Sequence, residues 1–313
     1  MAERVGDDGQ RFAALRLVWN SALMREPLPG VVALAKELTR RADAVDDHAR
    51  QAVAQRALGY SLCMSGRHEQ ALLAFERGIA CSDSLEAASF LIYGEHPGIV
   101  CRFYSAWSLA LRGDKAASDR RGDEAVGMAR ALGNPHGLTW ALVCAGVPAL
   151  FSNDPQRAHA LQSEALTIAE TYRLPQWTGF ASNYLGWSLL ASGDPEQGLA
   201  ACTRGLELVH GTGAVLNTTI LLWTRAQCRL AVGDAVGASA DIDAALAHAD
   251  SHGENVIRPG LLWLAGEIAR ARQGDPMPFW RSSRELAERQ GSLAWLGRLE
   301  RSHQSLNTRE SAP

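Results

Sequence analysis

Catalysis and metal binding need titratable or nucleophilic side chains held beside orienting partners, so the histidines and cysteines are the first residues to weigh. The chain has nine histidines and six cysteines in 313 residues. His248 and His252 stand four apart, a spacing that places two imidazoles on one helical face and could hold a metal, but no third ligand accompanies them at recognisable spacing. They read as solvated residues near a helix C-terminus, where the dipole favours positive charge. His48, His68, His159 and His210 fall at turns or on outward-facing helices, whereas His96 and His136 each adjoin a proline before a helix, as rim residues that either contact a ligand or simply belong to loops. Cys63, Cys81, Cys101, Cys144, Cys202 and Cys228 form no Cys-x-x-Cys pair, and four of them lie in apolar helical patterns, as reduced core thiols do. Gly-x-Ser-x-Gly, His-Glu-x-x-His and dinucleotide-binding glycine fingerprints are all missing, so the sequence implies no cofactor, no metal and no catalytic residue.

The bulk composition narrows the partners. The formal charge is −3, from 31 basic and 34 acidic residues, which is not the basic footprint of a protein that neutralises many phosphates. No direct nucleic-acid contact is expected. The first ten residues are polar and acidic, and no apolar run approaches the roughly 20 residues that span a bilayer. A cytoplasmic, unexported protein without a membrane partner is the expectation, its oligomeric state left open. One number departs from the ordinary: nine tryptophans against seven phenylalanines and five tyrosines.

The elements that must position these residues appear as repeats. A turn signature, Gly-Asp or a close relative, recurs at Gly66, Gly113, Asn153, Gly193, Gly233 and Gly274, at intervals of 47, 40, 40, 40 and 41 residues. Seven residues before each of the first five turns lies a small residue: Gly59, Ala106, Gly146, Gly186 and Ala226. Gly266 precedes Gly274 by eight, which predicts a sixth turn one residue longer. Each unit reads as two amphipathic helices, the second opening on Asp-Pro at Asp154 and Asp194 and stopping at Gly or Pro. No segment alternates with period two for long enough to be a strand. The expected architecture is all-α, a right-handed superhelix of about seven helical hairpins. It comprises a degenerate first hairpin over 11–45, an insertion near 83–96, repeats through residue 272, a cap over 277–303, and disordered ends at 1–10 and 304–313.

Leu58-Gly59, Gly66, Ala71 and Phe75, and Leu185-Gly186 with Gly193, match the tetratricopeptide (TPR) pattern. Further segments, Tyr93 to Val100, Ala106-Trp107-Ser108-Leu109, Leu174-Pro175-Gln176-Trp177, Gly186-Trp187-Ser188-Leu189 and Gly205-Leu206 through Ala214, resemble a bacterial TPR region. It is the region found C-terminal to signalling ATPases and adenylate cyclases and related to the sensor of LuxR-type activators such as the maltose-regulon activator. The likeness covers roughly Leu17 to Arg272. No Gly-x-x-x-x-Gly-Lys-Ser/Thr loop is present, so the ATPase, cyclase and DNA-binding roles of those relatives do not carry over. What the resemblance implies is a sensor or scaffold module detached from its usual output.

TPR geometry puts positions 2, 5 and 9 of each first helix, with the small residue as 8, on the concave wall. That register selects Arg56, Tyr60, Phe103, Trp107, Trp140, Phe180, Asn183, Trp187, Trp223, Gln227, Trp263 and Glu267 as groove residues, five of the nine tryptophans among them. Aromatic surface left facing water usually marks a binding site. One reading is therefore an aromatic groove, anchored by Arg56, Asn183, Gln227 and Glu267, that takes a peptide segment, a small apolar or aromatic effector, or a sugar. The other is that tight curvature closes the groove and the indoles are core. Trp19, Trp177, Trp280 and Trp295 read as packing residues. A reaction pocket in a biosynthetic enzyme or accessory protein is the alternative function, with Arg56, Arg102, Glu267 and Arg270 as scattered ionisable candidates. The mixed-charge run Asp119 to Glu124 and the segment Lys36 to Arg41 read as solvated helix faces.

Overall fold

The computed structural model describes residues 2–310, and among them every regular element is helical. Seven hairpins follow one another: α1 (Ala2–Leu23) with α2 (Leu28–Asp43), α3 (His48–Met64) with α4 (His68–Asp83), α5 (Pro97–Leu111) with α6 (Lys115–Leu132), α7 (Pro135–Ser152) with α8 (Pro155–Thr171), α9 (Pro175–Ala191) with α10 (Pro195–Gly211), α11 (Thr218–Ala231) with α12 (Ala235–His252), and α13 (Arg258–Ala271) with α14 (Met277–Gln290). A last helix, α15 (Leu293–Glu310), follows. The chain is a TPR-like right-handed solenoid. None of the described helices is long and apolar enough to cross a membrane.

The repeat register is written into the turns. Gly66, Gly113, Asn153, Gly193 and Gly233 take positive φ, and Asp114, Asp154, Asp194 and Asp234 cap the helices that follow by accepting backbone N–H bonds. The sixth turn corrects the sequence reading. Its left-handed residue is Gln273, at φ 61°, which stands seven after Gly266 and 40 after Gly233, so the turn is not longer than the others. The glycine signal there misled because Gln273 accepts the strained conformation that glycine supplies elsewhere. Within hairpins the small residues set the approach of the helices. A Cβ on Gly186 would lie 2.5 Å from the Gly198 carbonyl oxygen, so α9 and α10 meet backbone to backbone.

The insertion near 83–96 folds as a short 3-10 helix, Ala87–Tyr93, between α4 and α5. The ends also differ from expectation. Residues 2–10 belong to α1 and 304–310 to α15, while Met1 and 311–313 lie outside the described residues. Asp8 approaches Arg41 at 3.7 Å and Arg50 at 3.9 Å, which ties the start of α1 to the second and third helices.

The superhelix closes on itself. The Asn255 N–H donates to the Met64 carbonyl at 2.8 Å, and Gln290 Nε2 donates to the Asn255 carbonyl at 3.0 Å, joining the late repeats to the turn of the second hairpin. Inside this ring, α15 does not merely stack on α14. The hydroxyl of Ser292, just before α15, donates to the Leu111 carbonyl at 3.1 Å, Arg298 donates to the Leu150 carbonyl, and Trp295 meets Phe151 and Trp223 edge-on at 6.2 and 5.6 Å. The chain's own last helix therefore covers part of the inner wall.

Candidate functional site

Where α15 does not reach, the ring encloses a cavity of about 450 Å³. It is bounded by α3, α5, α7 and α9, by the end of α1 through Asn20, Ser21 and Leu23, by Met24 just after it, and by Leu216 and Asn217 before α11. Small-molecule and cofactor sites typically run from about 300 to 1,000 Å³ and are mostly apolar with a few placed polar groups. This chamber has that character. Tyr60 and Tyr104 meet edge-on at 4.5 Å, Trp140 and Trp177 stack at 5.6 Å, and Trp177, Phe180 and Tyr184 continue the aromatic wall at 5.8 and 6.1 Å.

Two polar features break that wall. Arg56 donates to Glu95 at 2.8 Å, with both side chains largely buried, and its guanidinium lies over the rings of Trp19 and Trp140 at 4.9 and 5.7 Å. Glu95 comes from the insertion, so the irregular segment supplies the counter-charge for a repeat residue. The second feature is unpaired. The hydroxyls of Tyr60 and Tyr184 and the Asn217 Oδ1 are buried with no hydrogen-bond partner among the described residues, and all three residues line the chamber. Burial raises the phenol pKa of Tyr60, Tyr104 and Tyr184 well above the usual tyrosine range, so these groups stay neutral donors. A buried polar group without a partner costs about 1–3 kcal/mol.

The twelve groove residues selected from the sequence separate into four groups. Arg56, Tyr60, Trp107, Trp140 and Phe180 line the chamber. Phe103 faces a side cavity of about 80 Å³ shared with Trp140, His96 and His136, and Trp263 and Glu267 line a separate cleft of about 260 Å³ at the other end of the ring. Asn183, Trp187, Trp223 and Gln227 line none of these spaces. The open face expected for those four is corrected by their contacts. Asn183 donates to the Cys202 and Leu221 carbonyls at 3.0 and 3.2 Å, knitting α9 to α10 and α11. Trp187 is buried with its indole N–H on Gln227 at 3.4 Å, and Trp223 lies beneath Trp295 and Arg298 of α15.

Several chamber residues escape the repeat register. Trp177 reads from the sequence as a packing residue, yet it lines the chamber and donates its indole N–H to His136 Nε2 at 2.9 Å. Tyr104 and Tyr184 follow register positions by one residue, a rotation of about 100° that still reaches an enclosed cavity. Glu95 and the α1 residues come from elements outside the repeats, and no spacing marks them. His136 stands at the rim, its pKa held below the usual histidine range by burial. Burial likewise drives the Cys144 thiol upward, away from the reactive thiolate.

The repeated helical hairpins define a TPR-like helical-repeat protein, and several solved structures share its fold. A Rap protein complexed with competence and sporulation factor superposes with a TM-score of 0.66 at 14% identity, over 93% of this chain and 76% of that one. The Rap conjugation gene regulator of plasmid pLS20, in complex with a Phr peptide, gives 0.66 at 12% identity over 98% and 79%. NprR in complex with its cognate peptide NprX gives 0.62 at 13% identity over 99% and 94%. No protein-family model and no curated protein sequence matches the chain.

Proposed function

We propose that this protein is a cytoplasmic regulatory sensor that captures a short peptide segment, with one or two apolar or aromatic side chains seated in the chamber. The observation that carries the reading is the cavity of about 450 Å³ walled by aromatic rings, Tyr60, Tyr104, Trp140, Trp177, Phe180 and Tyr184 among them. The neighbours of similar fold that hold Phr and NprX peptides support a peptide as that occupant. The sequence resemblance to the sensor regions of signalling ATPases and LuxR-type activators agrees with the same role.

A compact aromatic effector is the second reading, favoured by the chamber volume of about 450 Å³, which falls within the range of small-molecule sites. The wall favours binding over chemistry: Arg56 and Glu95 neutralise each other and the His136 Nε2 is engaged by Trp177. Affinity selection from a pool of short linear peptides on the immobilised protein, with intrinsic tryptophan fluorescence as the readout, tests the proposal. Peptides that bind the wild type and lose affinity in Trp140→Ala support it. Selected peptides that bind both alike, or a pool that yields none while a small aromatic such as indole saturates the signal, reject the peptide reading.

A further inference from the structure

The second cleft lies where the middle of α15 meets the C-terminal half of α13 and Asn153 at the end of α7, and no residue lines both it and the chamber. Its walls carry three guanidinium groups, Arg270, Arg298 and Arg301, against one carboxylate, Glu267. Glu267 is already committed: Arg270 donates to it at 2.6 Å and the Ser302 hydroxyl donates to its other oxygen. That leaves Arg298 and Arg301, three residues apart on α15, with no carboxylate partner among the described residues. Arg298 is the more unusual of the two. It is 7% exposed, its guanidinium lies 5.1 to 5.4 Å from the rings of Trp223, Trp263 and Trp295, and its hydrogen bond goes to the Leu150 carbonyl in the last turn of α7.

Indole faces and a helix C-terminus soften the cost of burying this cation, but neither is a counter-ion. The desolvated site and the neighbouring Arg301 charge press its pKa down to about 10, the direction expected where positive charge is in excess. A cavity of about 260 Å³ adjoins it, flanked by Asn153, Ser302 and Ser305. A planar guanidinium in a dry wall beside an open volume matches the geometry that recognises paired oxygens.

We propose that this cleft is an oxyanion site that takes the carboxylate or phosphate group of a small ligand. Arg298 supplies the buried charge, Arg301 closes the exposed side, and Glu267 keeps Arg270 in place. The site is independent of the chamber, so either can fail without the other.

The test titrates the full chain with inorganic phosphate and, separately, with succinate, holding ionic strength constant with chloride. Tryptophan fluorescence reports occupancy, since Arg298 covers three indoles. A saturable response is expected, weakened about tenfold in Arg301→Gln and in Arg270→Gln. Arg301 is exposed, and circular dichroism checks that its substitution leaves the fold intact. Saturation by phosphate alone assigns a phosphate ligand, and by succinate alone a carboxylate. No saturation with either anion, or a response unchanged in both variants, overturns the proposal.

Discussion

Trp177 and His136 are locked to each other at the rim of the chamber, the indole N–H donating to the imidazole Nε2 at 2.9 Å. The bond exists only while His136 is neutral and carries its proton on Nδ1. It therefore stabilises the neutral form and adds to the burial that already lowers the histidine pKa. Trp177→Phe keeps the stack with Trp140 but removes the donor. The His136 pKa should rise in that variant, followed by the imidazole proton resonances in an NMR titration. A pKa that stays put would show the bond to be of no consequence in solution.

The indoles of the inner wall should fall into two energetic classes. Trp187 and Trp223 are 3% and 0% exposed, so truncation to alanine leaves cavities and should cost about 3–5 kcal/mol each in urea unfolding. Trp140 is only partly buried and faces an existing void. Trp140→Ala should cost clearly less than either while lowering ligand affinity.

His68 should make the fold acid-sensitive. It is buried with neither ring nitrogen partnered, and burial, with the Arg112 charge, lowers its pKa from 6.5 to about 4. The folded protein keeps it neutral, whereas the unfolded chain protonates it as pH falls through 6.5. Stability is thus complete above that pH and is lost progressively down to about pH 4, by about 3 kcal/mol in total. His96, His136 and His210 are shifted the same way, so the readout is the difference between wild type and His68→Leu in unfolding free energy at pH 7.5 and pH 4.5. The variant should lose less across that range.

The Arg56 and Glu95 pair should behave as a unit. Glu95→Gln strands a buried cation and should cost about 3–5 kcal/mol, somewhat reduced by the indoles of Trp19 and Trp140 that flank it. Arg56→Met combined with Glu95→Gln should recover much of that loss. A strictly additive double mutant in urea unfolding would contradict the coupling.

The sequence made the repeats legible because each turn needs a left-handed residue and each helix crossing a small one, and both demands are local. The small residue Gly186 and the turn at Gly193 are read from spacing, and TPR geometry laid on that register selects five residues that line the chamber, from Arg56 to Phe180. What stayed hidden is non-local. Closure of the ring through Asn255 and Met64, entry of α15 onto Trp223, and delivery of Glu95 by the insertion depend on residues far apart in the chain. Periodicity says nothing about such contacts. For that reason the inner wall looked like one groove and is instead a chamber, a cleft and a buried seam.

The central claim is that the chamber is the binding site, and filling it tests that claim most directly. Val143 is 2% exposed and borders the empty volume, so Val143→Phe adds bulk where space already exists. With a peptide selected on the wild type, fluorescence titration should show affinity reduced at least about tenfold while urea unfolding shows stability unchanged or higher. Undiminished affinity in a stably folded Val143→Phe protein would contradict the account and move the binding site elsewhere.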